Sequence, residues 1–375
     1  MHSSLRINKL FLLNYRNHKK VKIEVNKNIV LLVGKNGSGK TNILESVSLL
    51  ASSNGMRNSN FKSLISEDSK FDEFGVVINL ENSYDSFKVG IGFSKKDGVL
   101  KKIIKFNGIE VSKNVIESKF SIFWIIPAMN NIFNSTPVER RNFLDTLIFN
   151  VETTHKKNLL NYKKLQRDRL KILKKINISI LEKKWLDTIE SKMGSLALII
   201  SDTRKQFIKK INSYSSKYMS TLPQLELSMN GEIDKELSYK PALEVEESFV
   251  KKLSINRKID SIIGKTQAGV NKTDLKVLNK IKMITAEECS TGEQKVILIS
   301  IIFIFIQIIK KKGLYNIIFL LDDLFAHLDE FYINLILREL KGLKIQTWIS
   351  NVSNKLINKE SDCFEDIMFL NIKDI

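Results

Sequence analysis

The stretch Ile29 to Glu45, "IVLLVGKNGSGKTNILE", decides the fold. A continuous apolar, β-branched run predicts a central strand buried on both faces, and a helix is predicted to follow Gly39. The residues between them match the P-loop pattern at every fixed position and in the required strand-to-helix context. A chance glycine turn is improbable at so many fitted positions. The predicted phosphate-binding residues are Gly34, Lys35, Asn36, Gly37, Ser38, Gly39, Lys40 and Thr41.

A P-loop implies a nucleoside triphosphate and a divalent cation, so we predict ATP and Mg²⁺ as cofactors. Its glycines allow the backbone angles at which successive N–H groups converge on phosphate oxygens. The start of the following helix adds partial positive charge. Lys40 is predicted to contact the β- and γ-phosphates, and the Thr41 hydroxyl is predicted to bind Mg²⁺.

A second apolar run, "IIFLLDD", ends in Asp322 and Asp323. We place this strand beside the P-loop strand, where a carboxylate at its end can hold Mg²⁺ directly or through water, and we assign that role to Asp322. Asp323 is predicted to be the catalytic acid that orients or deprotonates the attacking water. The alternative is that the two acids simply begin a loop.

The chain has 375 residues and a formal net charge of +19. Such a charge favours a polyanionic partner, although abundant Lys, Asn and Ile are also typical of proteins from AT-rich genomes.

Cys289 and Cys363 have no metal-type spacing, which favours a reducing compartment. The N-terminus lacks the pattern of a signal peptide, and the apolar run 296–309 is shorter than the ~20 residues that span a bilayer. We predict that this run is a buried core helix and that the protein is cytoplasmic.

The periodicity changes along the chain, which predicts two domains. Short strands dominate the N-terminal part and return near the C-terminus. Between them, apolar residues from Leu181 to Ile211 recur at helical spacing, and the segment before Asn177 predicts a second, antiparallel helix with Leu159, Tyr162, Leu170 and Leu173 on one side. We expect the helical region to end near Pro223, before a polar strand. The predicted domains are an α/β head of residues 1–134 and 276–375 and an inserted helical arm of residues 135–275.

The segment "CSTGEQK" opens the long apolar helix with a Ser-x-Gly turn that is another anion cradle. Its place between the P-loop and the acidic strand resembles the ABC-type ATPases, in which this signature turn closes over the γ-phosphate held by another subunit. In "LFAHLDE", Asp329 resembles the acidic position of the D-loop. In "NYRNH", Arg16 and Asn17 resemble residues of the chromosome-maintenance branch that approach the nucleotide. The predicted signature residues are Ser290, Thr291, Gly292, Glu293 and Gln294.

The insert between these motifs resembles the RecF family, whose members are bacterial recombination mediators. The matching segments are "STPVERRNFLD" (135–145), the arm-helix segment "YKKLQRDRLKIL" and "GKTQAGVNKTDLKV", in which Gly269, Asp274 and Leu275 keep the family residues. The resemblance implies an α/β ABC-type ATPase head, a P-loop sheet with flanking antiparallel strands, that carries a helical arm. The chain departs from the family pattern at Cys289, Val270, Asn271 and His327, and Asp323 stands where most ABC ATPases have Glu.

A row of cations is a candidate for duplex DNA. Lys163, Arg167, Lys171 and Lys174 follow helical spacing opposite the apolar side of the arm helix, where they can track phosphates. The alternative is a solvated helix face. For Arg140 and Arg141 we favour a structural role in pairing with Asp145 or Glu139.

Three functions remain open. The resemblance implies an ATP-closed homodimer that grips duplex DNA near single-strand gaps, works with RecO and RecR to load RecA, and opens after slow hydrolysis. The first alternative is the nucleotide-hydrolysing subunit of a membrane transporter, which the long helical insert opposes. The second is an architectural head that binds nucleotide without hydrolysing it.

Overall fold

Strands and helices alternate along the N-terminal part of the chain in the order that the periodicity predicts. This computed structural model describes residues 4–51, 54–67, 69, 73–96, 99–175, 179–218, 222–314, 316–353 and 364–374. The first elements are β1 (Arg6–Tyr15), β2 (His18–Glu24), β3 (Ile29–Val33), α1 (Lys40–Ser48), β4 (Phe74–Glu81), β5 (Ser86–Lys96), β6 (Val99–Phe106), β7 (Ile109–Glu110), α2 (Lys113–Lys119) and β8 (Ser121–Ile125).

The middle of the chain is mainly helical and the end returns to an α/β pattern. The middle elements are α3 (Pro137–Phe149), α4 (Thr153–Leu173), α5 (Ile180–Tyr218), β9 (Leu225–Asn230), α6 (Glu232–Glu236), α7 (Ala242–Ile255), α8 (Arg257–Ile263), β10 (Asp274–Asn279) and β11 (Ile284–Thr285). The last elements are α9 (Thr291–Lys311), β12 (Ile317–Leu321), α10 (Glu330–Leu343), β13 (Gln346–Asn351) and β14 (Ile367–Asn371).

The chain forms two compact units. One contains Met1–Asn130 and Lys310–Ile375, and the other contains Asn131–Ile309. The predicted division of the chain into a head of residues 1–134 and 276–375 and an arm of residues 135–275 stays a prediction.

A parallel sheet of five strands lies in the first unit, in the order β14-β3-β13-β12-β8. Strands β3 and β12 are continuous apolar runs, as is typical of strands that are buried on both faces of a sheet. The second sheet has the order β2-β1-β4-β5-β6-β7 and is antiparallel. Its inward residues, such as Leu10 and Val76, share one core with Val30 and Trp348 of the parallel sheet. An α/β head with flanking antiparallel strands and an additional helical lobe is therefore observed, as predicted.

The strand that ends in Asp322 is not beside the P-loop strand, and that part of the prediction is wrong. β13 lies between β3 and β12 and pairs with both. All three strands are parallel, however, so their carboxyl ends still meet at one edge of the sheet. This edge positions the candidate site.

The second unit is built around α4 and α5. Arg169 pairs with Glu190 and Lys175 pairs with Glu182, which shows that these helices run antiparallel as predicted. The predicted break at 177–179 lies mostly outside the described residues. The apolar faces of both helices meet α7 in one core that includes Tyr162, Met193 and Phe249.

Three predictions about this unit need correction. Helices α6, α7 and α8 follow β9, whereas we expected the helical region to end near Pro223. The apolar stripe of α5 is exposed at its start, since Leu181 and Trp185 are 76% and 62% exposed. Leu170 of α4 is only half-buried, whereas its neighbour Arg169 is fully buried.

Helix α9 confirms the predicted core helix. Among the described helices it is the one whose length and composition would suit a bilayer span, with a mean hydropathy of 1.9 over its most apolar window. Of that window, 83% is buried inside the protein, as in the core helix of a soluble protein. The helix is longer than the apolar run 296–309 because the signature turn adds its first residues.

Candidate nucleotide-binding site

The P-loop connects β3 to α1 in a conformation that requires glycine. Gly37 and Gly39 have φ angles of 79° and 100°, in the left-handed region where other residues are strained. A Cβ on Gly39 would also lie 2.5 Å from Nε2 of His18 and 2.7 Å from Nδ2 of Asn17. Position 39 therefore excludes a side chain for two independent reasons.

Lys40 lies across the loop that precedes it. Its ammonium donates hydrogen bonds to the carbonyl oxygens of Gly34 (2.6 Å) and Lys35 (2.9 Å). Burial lowers the pKa of Lys40, while the carboxylates of Asp323 and Asp322 act in the opposite direction. The cation is thus held over the concave side of the loop and close to the two acids.

A chain of hydrogen bonds joins the P-loop helix to the end of β12. The Thr41 hydroxyl donates to Oδ1 of Asp322 at 2.8 Å, and the Ser350 hydroxyl donates to the same atom at 2.6 Å. The backbone N–H of Asp323 donates to Oγ of Ser350 at 2.9 Å. Asp322 is buried, and Asp323 has a φ of 50°. These contacts fix the two acids at the carboxyl edge of the sheet.

Arg16 is held by a carboxylate rather than directed freely toward the loop. Its guanidinium makes two hydrogen bonds of 2.9 Å to the buried Glu45 on α1, and it also donates to Ser59 and to the carbonyl of Ser63. Asn17 accepts a hydrogen bond of 2.7 Å from Asn42 on α1. Both residues lie beside the P-loop helix, and their contact with nucleotide stays a prediction.

Three residues at this site escaped the sequence analysis. Glu45 anchors Arg16, and Ser350 connects the two acids. His18 packs under the loop, with Nε2 lying 3.2 Å from the carbonyl oxygen of Gly39, and burial lowers its pKa. A polar residue between Leu44 and Val47 on an apolar helix face was a signal for Glu45. Nothing in the sequence placed Ser350 next to Asp322.

The signature turn is the N-terminus of α9 and lies in the second unit. Ser290 and Glu293 form reciprocal bonds of the capping-box type: the Ser290 N–H donates to the Glu293 carboxylate (2.9 Å), and the Glu293 N–H donates to Oγ of Ser290 (3.4 Å). Lys282 also pairs with Glu293, and the contacts with Lys282 and Ser290 lower the pKa of Glu293. Gln294 is buried and donates to the carbonyl of Cys289. Ser290 and Thr291 are exposed, so the turn is ordered and open to solvent.

Asp329 begins helix α10. Its carboxylate accepts a hydrogen bond of 2.9 Å from the N–H of Tyr332, which makes it an N-cap residue. His327 precedes it with a φ of 63°. The capping contact accounts for an acidic residue here, and its role as a D-loop residue stays a prediction.

The predicted partners of the arginine pair are wrong, although its structural role is supported. Arg140 makes a two-fold hydrogen bond with Asp274, at 2.8 Å and 2.7 Å, and Arg141 donates to the carbonyl of Thr273. Asp145 pairs with Arg204 instead. Glu139 caps α3 through Thr136.

The family residues retained near β10 have packing roles. Asp274 holds Arg140, and Leu275 is buried. Gly269 has a φ of 119°, and a Cβ there would lie 2.1 Å from the Tyr162 hydroxyl oxygen. The segment thus joins α3 and α4 to the sheet of the second unit.

The predicted DNA row is exposed on α4. Lys163, Arg167, Lys171 and Lys174 are all exposed, as predicted. The row does not lie opposite the apolar side, however, because Lys163 and Arg167 line one cleft together with Leu159 and Leu170. Their contact with nucleic acid stays a prediction.

The P-loop residues fit a triphosphate and a hard cation. Among the described residues, the buried hydroxyl of Ser38 has no hydrogen-bond partner although it lies within the loop. Thr41 and Asp322 offer a hydroxyl and a carboxylate oxygen 2.8 Å apart, and oxygen ligands are those that Mg²⁺ prefers. The loop geometry and the orphaned donor both suit a phosphate-binding cradle.

Comparison with known proteins gives one consistent family. The model of the "RecF/RecN/SMC N terminal domain" matches residues 6–370. The chain is 31% identical over 348 residues to a "DNA replication and repair protein RecF" of Rickettsia typhi, covering 92% of this chain and 93% of that protein. It is 30% identical over 333 residues to the RecF protein of Mesorhizobium japonicum, covering 88% and 86%.

Solved structures show the same fold. A structure described as the "recombination mediator protein RecF-ATP in RecFOR pathway" superposes with a TM-score of 0.73 at 24% identity and covers 96% of both chains. The Smc head domain of Pyrococcus furiosus superposes with a TM-score of 0.56 at 17% identity, covering 99% of this chain and 94% of that one. The ABC-type head of the chromosome-maintenance branch is thereby confirmed as the fold.

Proposed function

The chain belongs to the RecF family, whose curated members are named DNA replication and repair proteins, and from that premise we propose that it is an ATP-binding protein of recombinational repair and replication. Membership of this family argues against the alternative that the chain is a subunit of a membrane transporter. The observation that carries the proposal is the contact between the Thr41 hydroxyl and the Asp322 carboxylate at the base of a complete P-loop.

ATP would be held by residues 34–41, with Lys40 on the phosphates and with Arg16 and Asn17 nearby. Mg²⁺ would be held by Thr41 and Asp322. When bound, Mg²⁺-ATP supplies a cleavable phosphoanhydride and the negative charge that a second cradle can recognise. Asp323 lies next to Asp322, and we assign it the activation of water.

The turn of Ser290, Thr291 and Gly292, whose first two residues are exposed, supports a site shared between two copies. We assign to this turn the completion of the triphosphate pocket of a second copy, with Glu293 and Gln294 fixing its shape and Asp329 contributing near the interface. ATP can favour a closed homodimer only if it contacts both subunits there. Slow hydrolysis would remove that contact and open the dimer.

The closed dimer would grip duplex DNA beside a single-strand gap. The net charge of +19 and the exposed row of Lys163, Arg167, Lys171 and Lys174 support contact with the phosphate backbone without sequence readout. The protein would act in the cytoplasm with RecO and RecR as partners and would help to load RecA.

The test is the retention of the protein on gapped duplex DNA with ATP, with ADP, and for the Lys40→Met variant with ATP. We expect long retention only for the wild type with ATP, because only that sample holds the γ-phosphate in both sites. A matched control is Lys35→Met, which removes a cation from the same loop but keeps Lys40, the lysine that the P-loop pattern requires. Equal retention in all samples would exclude a clamp driven by ATP.

A further inference from the structure

A cleft in the second unit has an apolar lining that the proposed function does not use. It encloses about 890 Å³ between α3, α4 and the segment that precedes β10. Its apolar lining includes Val138, Phe149, Leu159, Leu160 and Leu170. Val138 and Leu160 are 53% and 58% exposed, so apolar surface in this cleft is open to a binding partner.

The cleft is bordered by unpaired positive charge. Its exposed cations are Lys156, Lys163, Arg167, Lys265 and Lys272. None of them makes an ion pair within 4.0 Å with another residue in the described part of the chain. Among the described residues, Asp145 is the one carboxylate in the lining, and it already pairs with Arg204 and His155.

Arg141, which also lines the cleft, is a buried positive charge without a paired carboxylate among the described residues. Arg141 is 7% exposed and donates to the carbonyl of Thr273, but it has no carboxylate within 4.0 Å among the described residues. The nearest acids are committed, Asp274 to Arg140 and Asp145 to Arg204. Burial lowers the pKa of Arg141, and the neighbouring Arg204 lowers it further. Asp145 and Asp274 act in the opposite direction on this pKa. These two carboxylates are shared by Arg140, Arg141 and Arg204, so an incoming carboxylate would be stabilised beside Arg141.

We propose that this cleft binds an acidic, amphipathic segment of a partner protein. Apolar side chains of the segment would contact Val138 and Leu160, and its Asp or Glu side chains would face the cationic border and Arg141. The apolar lining is the reason to prefer a peptide over nucleic acid, since a phosphate backbone would leave Val138 and Leu160 without partners. Charge complementarity sets the sign of the partner and increases its association rate.

The proposed DNA row and this cleft share Lys163 and Arg167 but differ elsewhere. Lys171 and Lys174 do not line the cleft, and Leu160 and Lys272 do not belong to the row. Variants at these positions therefore separate the two binding activities. The proposal also does not depend on nucleotide, so it can fail or succeed independently of the proposed ATP switch.

The experiment measures the fluorescence anisotropy of a labelled synthetic peptide rich in Asp and Leu, titrated with the full-length protein. We expect binding that weakens with salt, and loss of binding when every Asp of the peptide is changed to Asn. Leu160→Ser should weaken binding about tenfold, because an apolar contact is lost. Leu243→Ser is its control, since Leu243 is 68% exposed and lies outside the cleft.

A second pair of variants tests the charge. Lys272→Ser should weaken peptide binding several-fold, whereas Lys258→Ser, an exposed lysine of α8 outside the cleft, should not. Neither Leu160→Ser nor Lys272→Ser should change affinity for duplex DNA. Absence of peptide binding, equal binding by Leu160→Ser and Leu243→Ser, or a loss of duplex affinity in the cleft variants would each overturn the proposal, and the last result would assign the cleft to nucleic acid.

Discussion

The Thr41 hydroxyl lies 2.8 Å from Oδ1 of Asp322, although 281 positions of the chain separate the two residues. The parallel sheet creates this contact, because β3 and β12 end at the same edge with β13 between them. A hydroxyl and a carboxylate at this distance are suited to share one hard cation.

Thr41→Ala should weaken nucleotide binding about tenfold or more in the presence of Mg²⁺, because it removes a cation ligand and leaves Asp322 with Ser350 as its one remaining hydroxyl donor among the described residues. Thr41→Ser keeps the hydroxyl and serves as the control. Titration of a fluorescent ATP analogue with and without Mg²⁺ measures the effect. If Thr41→Ala and Thr41→Ser bind equally well in Mg²⁺, Thr41 is not a metal ligand.

Gly39→Ala should destabilise the P-loop and abolish nucleotide binding. A methyl group there would meet His18 and Asn17 at less than 3 Å, and φ is 100°. Gly37→Ala is the matched comparison, since its φ is also positive but no described atom lies within 4 Å of a Cβ. We expect Gly37→Ala to show only the backbone strain of about 1 kcal/mol. Thermal unfolding and nucleotide titration measure both variants, and equal losses would show that crowding at Gly39 is unimportant.

Asp323→Asn should retain ATP but slow phosphate release in a single turnover by about 10²–10⁴-fold. The substitution preserves the backbone because Asn tolerates a φ of 50° at least as well as Asp does, and the backbone bond to Ser350 does not involve the side chain. Asp323→Ala would confuse chemistry with strain and is a poorer test. An unchanged rate in Asp323→Asn would mean that Asp323 is not the catalytic acid, and it would favour the architectural alternative if the wild type also releases no phosphate.

Arg169→Met should destabilise the helical unit by about 3–5 kcal/mol. The buried Arg169 pairs with Glu190 and Asp260 at 2.8 Å and 2.7 Å, and its loss leaves Asp260 as a buried charge. Arg257→Met is the control, because Arg257 is partly exposed and Glu190 would keep Arg169. Because the chain has two units, hydrogen exchange of the α4 amides is a better measurement than a single unfolding midpoint. Equal protection in the two variants would contradict the proposed importance of burial.

Local sequence patterns predicted individual strands and helices. They could not predict which strands or side chains that lie far apart in the sequence would be neighbours in the fold. The runs "IVLLV" and "IIFLLDD" identified two buried strands because continuous apolar residues suit a parallel sheet. The sequence does not show that β13 enters between them, since strand order depends on how the crossovers pack. Helix α7 was missed, although Val245, Phe249 and Leu253 recur at spacings of four and are all buried.

Charged residues gave the largest errors for the same reason. Arg169 lies on the buried side of α4 because Glu190 and Asp260, from two other helices, neutralise it. Arg140 was predicted to pair with nearby acids and instead reaches Asp274, 134 positions away. A side chain's sequence neighbours do not reveal such partners. The P-loop was predictable because the residues predicted to bind phosphate, 34–41, are consecutive in the sequence.

The signature turn decides whether two copies share a site, and Ser290→Arg tests it. Ser290 is exposed and forms a capping box with Glu293, so the substitution adds bulk and charge at the proposed interface and also removes an N-cap. We expect normal ATP binding by single copies but no dimer in sedimentation with ATP and gapped DNA. Ser290→Ala is the control, because it loses the cap at a cost of about 1 kcal/mol without adding bulk. If Ser290→Arg still forms dimers as readily as Ser290→Ala does, the turn does not face the triphosphate of a second copy.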